Sequence, residues 1–205
     1  VPVFDLDSVE MNTGKMLSAT EVAELDKYKR YSVTEDGISP WAVPGTPGGM
    51  SLVTGNERNE WGQVSAEPGN RVTMMDKRAR KLGTIKPLLP RAVSYGDTSS
   101  KIGIIGVGAA AGIISETYRL LENDGVRLKV HRPRVLFPML DETLDFIAGC
   151  DRVYVVEHSE SGQVERVLSG AGANPDKLHG IRKYDGTPFW TDELAELIKD
   201  AEGAQ

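Results

Sequence analysis

The stretch Lys101-Ile-Gly-Ile-Ile-Gly-Val-Gly-Ala-Ala-Ala-Gly-Ile-Ile-Ser115 decides the fold of this 205-residue chain. An apolar run that contains three glycines leads into an alanine-rich segment. Lys101–Val107 has the apolar character of a buried strand, and Ala109–Asn123 has apolar residues at helical spacing. A strand, a tight glycine turn and a helix therefore open an α/β unit at this point.

Strands and helices are predicted to alternate from here to the end of the chain. Strands are expected over residues 126–130, 152–157 and 178–183, and helices over residues 138–149, 162–168 and 191–199. Gly125 stands where a helix-ending glycine is expected, and Thr191 is expected to cap the last helix. This alternation predicts an α/β fold with a mainly parallel sheet and helices on both faces.

Residues 1–92 lack the pattern of a domain with its own core. Proline and glycine are spread through Ile38–Gly49, which excludes a long helix or a central strand there. Short helices are predicted within Thr20–Tyr28 and Glu67–Leu82. We therefore expect an extended connecting arm over residues 1–92 that packs on neighbouring domains or subunits, followed by an α/β domain over residues 93–205.

Composition excludes several classes of function. A net charge of −6 argues against a nucleic-acid partner, because phosphate contacts need clustered Lys and Arg. The single cysteine, Cys150, excludes an internal disulfide and any cysteine-held zinc site or iron–sulfur cluster of this chain alone. No apolar run has the length of a membrane span and no signal peptide is present, so we expect a cytoplasmic protein without a membrane partner. Because the chain begins with Val, we expect it to be a piece of a longer polypeptide.

Three charged segments are interpreted as surface features. Lys77–Lys81 and His131–Arg134 are short basic pieces, for which a solvated face or an interface salt bridge is expected. Glu57–Glu60 gathers charge between two glycines. A charged surface turn is favoured there over acid–base chemistry or a divalent ion, since no His or Cys lies at ligand spacing.

The glycine turn is the first candidate binding site. Gly106-x-Gly108-x-x-Ala111 fits a loose dinucleotide fingerprint, and the helix N-terminus behind it favours a phosphate. A dinucleotide site also needs an acidic residue at the end of the next strand, where this chain has Lys129-Val130-His131, and a Walker lysine is absent. A phosphate or carboxylate ligand is the alternative to the favoured interpretation, which is close packing of strand and helix by Gly103, Gly106, Gly108 and Gly112.

A second candidate site follows the strand that ends at Glu157. The polar stretch from Glu157 to Gln163 lies at the carboxyl end of a strand, where functional residues of parallel sheets are found. His158 has the chemistry of an acid or base, but neighbours on a strand point apart, so a loop that fixes the next helix is favoured. No catalytic residue and no metal site is predicted. The candidates for phosphate or interface contacts are Gly106, Gly108, Glu157, Gly162 and Gln163.

Short motifs follow one another in order along nearly the whole chain. They are Arg30-Tyr31, Thr34–Pro40, Pro44-Gly45, Thr54–Glu57, Lys77–Leu82, the glycine turn, Pro138, Glu157–Gln163 and Tyr184–Phe189. This ordered set resembles the α subunits of 2-oxoacid:ferredoxin oxidoreductases, and the 2-oxoglutarate type most of all. The resemblance implies the C-terminal portion of such a subunit, with a transketolase C-terminal-like domain after the connecting arm.

The resemblance also implies a function. Enzymes of this family decarboxylate a 2-oxoacid on thiamine diphosphate, pass electrons through an iron–sulfur cluster to ferredoxin, and form an acyl-CoA. Thiamine diphosphate, Mg²⁺, the cluster and CoA then belong to the whole enzyme and none to this portion. The implied partners are the pyrimidine-binding domain of the α subunit and the β subunit, and the implied role is assembly rather than catalysis. A nucleotide- or CoA-binding α/β module and a free-standing interaction protein are the alternatives.

Four positions depart from the family pattern. Arg58 stands where His is usual after Gly-Asn-Glu, and Trp41 stands where Arg is usual after Ser-Pro. Ser159 replaces an Asn, and Thr187 replaces an Arg before Pro-Phe. These departures bear on any ligand role of the four loops and leave the fold unaffected.

Overall fold

Residues 5–203 are described by the computed structural model, and the chain divides between Leu88 and Leu89 into two units. The first unit contains β1 (Met16–Leu17), α1 (Ala19–Glu24), β2 (Trp41–Ala42) and α2 (Pro68–Ile85). Strands β1 and β2 pair in parallel. The buried hydrophobic residues described in this unit are few: Val22, Ala42 and Met74. Hydrogen bonds and ion pairs therefore supply much of what holds this unit together.

Both helices predicted in the first unit are present. Helix α1 starts with a capping box, in which the Ser18 hydroxyl accepts from the Glu21 amide and the Glu21 carboxylate accepts from the Ser18 amide. It ends at Glu24, earlier than predicted. Helix α2 begins at Pro68, because proline suits the first turn, where its missing N–H has no helical partner.

The second unit contains a five-stranded sheet. Its strands are β3 (Val93–Gly96), β4 (Ile102–Gly106), β5 (Lys129–Arg132), β6 (Arg152–Glu157) and β7 (Leu178–Arg182). The spatial order is β3-β5-β4-β6-β7. Strand β3 is antiparallel to β5, and the other pairs are parallel. The mainly parallel sheet is confirmed, and its strand order changes direction at the β4–β6 pair.

Helices cover both faces of this sheet. They are α3 (Ala110–Asn123), α4 (Asp141–Ala148), α5 (Gln163–Gly170) and α6 (Thr191–Gly203). On one face, α3 and α6 pack on Ile104 and Val156, and on the other face, α4 and α5 pack on Ile105 and Val155. Consecutive strand residues point to opposite faces, so a strand covered on both sides has to be apolar throughout. The predicted α/β fold class is therefore confirmed. No helix among residues 5–203 is long and apolar enough to cross a membrane.

Three predicted element boundaries are wrong. Strand β5 starts at Lys129 instead of residue 126, because the N–H of Val126 donates to Leu121 (2.8 Å) and so completes the end of α3 after Gly125. Helix α4 starts at Asp141 instead of residue 138, since Leu140 is an extended N-cap. Thr191 is the first residue of α6 and not its cap. The Glu193 carboxylate accepts instead from the preceding amide of Trp190 (3.0 Å).

Candidate functional site

The predicted candidate residues lie at the carboxyl ends of two neighbouring strands. Gly106 at the end of β4 pairs with Val156, the residue before Glu157 in β6. From β4 the chain passes to β5 on one side and then to β6 on the other. The crevice outside such a change of direction is where open α/β sheets bind ligands. Both candidate loops therefore lie at the carboxyl-end edge of the sheet, where a ligand site is expected. Whether they can bind a ligand depends on the contacts that their side chains and amides already make.

Glu157 caps helix α5. Its side chain is buried, with the residue 5% exposed, and it accepts from the amides of Val164 (2.9 Å) and Glu165 (3.3 Å). The Ser159 hydroxyl donates to the same carboxylate (2.7 Å) and accepts from the Gln163 amide (3.0 Å). The first three amides of α5 thus have partners inside their own loop. This geometry supports a loop that fixes the helix, and it leaves those amides without spare capacity for a phosphate.

The backbone conformation and the close contacts at position 162 explain why a glycine is found there. Its φ of +66° is in the left-handed region, and an added Cβ would lie 2.6 Å from Nη2 of Arg182. The Arg182 guanidinium is held there by the Glu165 carboxylate at 2.7 Å. Gln163, in contrast, is an exposed residue at the first position of α5. Gly162 therefore allows the loop to turn beneath an ion pair.

The four glycines of the opening stretch have different roles. An added Cβ on Gly103 would lie 2.8 Å from the Phe146 ring, and one on Gly106 would overlap the side chain of Ile114. The packing interpretation therefore holds for these two residues. It is wrong for Gly112, which has nothing within 4 Å, and for Gly108, which has a φ of +57° and the same open space. Gly108 serves the turn by its backbone conformation.

His131 is a buried structural residue. Its ring nitrogens lie 2.8 Å from the Ser94 hydroxyl and 2.9 Å from the Thr143 hydroxyl, and the ring stacks on Phe146. Burial lowers the pKa of His131, which the charge of Glu142 opposes. The expectation of a solvated basic piece over His131–Arg134 is therefore wrong for its first residue, which joins β3 to α4.

The segment Glu57–Glu60 is an ion-pair centre of the first unit. Glu57 accepts from Arg78 (2.7 Å) and Arg71 (3.0 Å), and its hydrogen bond with Arg78 lowers the pKa of its carboxyl to about 2. Glu60 accepts from the Val33 amide (2.9 Å) and Lys29 (3.0 Å), which lower the pKa of that carboxyl. The interpretation as a charged surface turn is wrong, because these carboxylates hold distant parts of the unit together.

Three cations surround the ring of Tyr31. The side-chain charges of Arg58, Arg30 and Lys77 lie 4.9, 5.3 and 6.0 Å from its centroid. Lys77 donates to the Tyr31 carbonyl (2.9 Å), and Arg58 donates to the Tyr31 hydroxyl (2.9 Å). Lys77 is only 8% exposed, so a solvated face over Lys77–Lys81 is wrong for this residue. We call Tyr31, Arg30, Arg58 and Lys77 the Tyr31 cluster.

Each of the four positions that depart from the family pattern has a hydrogen bond inside its own unit. The pairs are Arg58 with the Tyr31 hydroxyl, the Trp41 indole with the Thr13 carbonyl, Ser159 with Glu157, and Thr187 with Asp185. Among residues 5–203, no group of three or more His, Cys, Asp or Glu residues is placed to hold a metal ion. Burial raises the pKa of the Cys150 thiol, which makes it a weak nucleophile.

A solved enzyme structure shares the fold of this chain. The solved 2-oxoglutarate:ferredoxin oxidoreductase from Magnetococcus marinus, with 2-oxoglutarate, coenzyme A and succinyl-CoA bound, superimposes with a TM-score of 0.76 at 30% identity. The match covers 86% of this chain and 31% of that one. No family model matches the chain.

Curated relatives name the enzyme family that the chain resembles. The α subunit of a 2-oxoacid:ferredoxin oxidoreductase from Saccharolobus solfataricus is 34% identical over 95% of this chain, and subunit α of enzyme 2 from Aeropyrum pernix is 32% identical over 96%. The chain spans 30% of the length of each of these relatives. Its homologues are thus α subunits of 2-oxoacid:ferredoxin oxidoreductases, and it corresponds to a segment of them.

Proposed function

We propose that this chain is the C-terminal portion of the α subunit of a 2-oxoacid:ferredoxin oxidoreductase, and that it shapes and assembles the enzyme. The observation that carries the proposal is the likeness to curated α subunits over 95% of the chain. The capping of α5 by Glu157 supports the structural role, because the polar groups at the switch point are committed to the fold.

The whole enzyme would convert a 2-oxoacid to an acyl-CoA by oxidative decarboxylation and pass the electrons to ferredoxin in the cytoplasm. The 2-oxoglutarate type is supported by the Magnetococcus marinus neighbour, which was solved with 2-oxoglutarate and succinyl-CoA. Thiamine diphosphate, Mg²⁺, the iron–sulfur cluster and CoA would act in the rest of the enzyme. The partners of this portion would be the pyrimidine-binding domain of the same subunit and the β subunit.

The surface of the first unit supports its role as a connecting arm. Three large apolar side chains lie close together in sequence and are open to solvent: Met50 is 93% exposed, Val53 72% and Leu52 56%. Exposed apolar clusters on soluble proteins commonly mark contacts with other chains or domains. Residues 50–53 are therefore the segment that we assign to an assembly contact.

Two experiments test the proposal. In the complete α polypeptide purified with its β subunit, dye reduction in the presence of CoA should be more efficient with 2-oxoglutarate than with pyruvate. A preference for pyruvate would contradict the 2-oxoglutarate type.

The second experiment tests the assembly contact in the same preparation. Leu52→Asp should weaken association of the subunits in sedimentation velocity. Leu120→Asp on α3 is the matched control, because Leu120 is also partly exposed (41%) and lies outside residues 50–53. Equal behaviour of the two variants would refute the assembly contact.

A further inference from the structure

A cavity of about 490 Å³ lies beside the Tyr31 cluster in the first unit. None of the described residues that line it is Asp or Glu. Six lining residues carry positive charges, and they are Lys15, Arg30, Arg58, Lys77, Arg78 and Lys81. A concave surface lined by charges of one sign concentrates the electrostatic potential inside it and attracts ions of the opposite sign.

Three of these cations already have polar partners at the edge of the cavity. Lys15 pairs with Asp36 at 2.6 Å, and Arg78 pairs with Glu57 at 2.7 Å. Arg58 donates to the Tyr31 hydroxyl. The charges of Lys15 and Arg78 are therefore neutralised within the fold, and these side chains line the cavity without offering a free charge to a ligand.

The other three cations have donors to spare. The side chains of Arg30 and Lys81 make no hydrogen bond and no ion pair with any of residues 5–203, although the Arg30 guanidinium lies over the Tyr31 ring. Lys77 donates one of its three ammonium protons to the Tyr31 carbonyl, which leaves two donors without a partner in this bond. A guanidinium and two ammonium groups thus line one cavity with most of their hydrogen-bonding capacity unused.

The buried position of Lys77 is unfavourable in this arrangement. Burial, together with the charge of Arg30, lowers the pKa of its ammonium group, and the carboxylate of Glu60 offsets only part of the effect. A buried charge is costly unless it is paired. An anion in the cavity would supply the missing counter-charge and would be held by charge-assisted hydrogen bonds.

We propose that this cavity binds a small oxyanion of the phosphate or pyrophosphate class between Arg30, Lys77 and Lys81. The cavity is large enough for such an ion, and its cations supply both a planar fork and point charges, the two ways in which proteins hold phosphate oxygens. The site is separate from the glycine turn, and it does not depend on the proposed function of the chain.

Isothermal titration of the 205-residue chain with sodium pyrophosphate tests this directly. We expect saturable binding that weakens about tenfold or more in Arg30→Gln and in Lys81→Gln, since each removes charge-assisted hydrogen bonds. Arg134→Gln removes an equal charge from an exposed position outside the cavity and should change the affinity less than about twofold. Circular dichroism confirms that each variant is folded. Absence of binding, or equal loss in Arg134→Gln, would overturn the proposal.

A second experiment measures the pKa of Lys77 in the unaltered chain, without a substitution at this buried position. In an NMR titration of lysine side chains, pyrophosphate should raise the pKa of Lys77 and leave the side-chain resonances of Lys101, on the other unit, unmoved. Inorganic phosphate should reproduce the effect at higher concentration. Competition with CoA then distinguishes a free phosphate from the phosphate groups of a cofactor as the natural source. If an acidic peptide binds and pyrophosphate does not, the cavity accommodates a protein segment and the small-anion proposal is wrong.

Discussion

Replacing Glu157 with alanine should destabilise the fold of the second unit. The carboxylate lies at the end of β6 and accepts hydrogen bonds from the amides of Val164 and Glu165, and from the hydroxyl of Ser159. Alanine removes all three acceptor contacts at a buried position. The amides of Val164 and Glu165 at the start of α5 then lose their side-chain acceptor.

The expected magnitude follows from these contacts. Loss of a helix N-cap costs about 0.5–2 kcal/mol, and a buried donor left unsatisfied costs about 1–3 kcal/mol. The Ser159 hydroxyl still accepts from the Gln163 amide, so one amide of the first turn of α5 keeps its partner. We therefore expect Glu157→Ala to lower the free energy of unfolding by about 2–4 kcal/mol. Glu157→Gln keeps a neutral acceptor and should cost less.

Urea denaturation of the 205-residue chain, followed by circular dichroism, measures this effect. With a slope of about 2 kcal/mol per molar urea, the unfolding midpoint of Glu157→Ala should fall by about 1–2 M. Glu160→Ala is the matched control, because Glu160 is exposed in the same loop. The capping argument is refuted if Glu157→Ala and Glu160→Ala unfold at the same midpoint as the unaltered chain.

Four further substitutions test other parts of the structure. Gly62→Ala puts a Cβ onto a backbone carbonyl at a φ of +83° and should cost about 2 kcal/mol or more in thermal denaturation. Gly106→Ala overpacks the core and should cost about 1–3 kcal/mol, whereas Gly112→Ala in an open helical position should be neutral or stabilising; the reverse order would contradict the packing argument. Glu57→Gln should lose its destabilising effect as the pH falls from 5 to 2, because the pKa of Glu57 is lowered from 4.5 to about 2. A pH-independent difference would refute the role of its ion pairs.

The α/β unit was predictable because its signals are local. Arg152–Glu157 is apolar without a break, as a strand covered on both faces must be, and Gly125 marks the end of α3. Strand β3 gives no clear signal in the sequence, because it lies at the sheet edge and its four residues are only partly buried or exposed. The start of β5 cannot be read from the sequence, because the alternating pattern does not reveal that the Val126 amide completes the preceding helix.

The contacts of the first unit were not predictable from the sequence, since they join residues that lie far apart along the chain. Arg78 reaches back 21 residues to Glu57, and Lys77 reaches back 46 residues to the carbonyl of Tyr31. Neither pairing leaves a periodic pattern, so Lys77–Lys81 and Glu57–Glu60 had the composition of surface segments. The loops after Gly106 and Glu157 lie at the carboxyl ends of neighbouring strands, as the alternation of strands and helices predicts, because the carboxyl ends of parallel strands share one edge. The hydrogen bonds that Glu157 and Ser159 make within the loop leave no pattern in the sequence.

Turnover by the isolated 205-residue chain tests the central claim most directly. The folded chain is supplied with 2-oxoglutarate, CoA and a dye acceptor, and dye reduction is compared with that of the complete α polypeptide purified with its β subunit. We predict reduction by the complete enzyme and none above background by the isolated chain. Reduction by the isolated chain, or inactivity of the complete enzyme with every 2-oxoacid tested, would contradict the account.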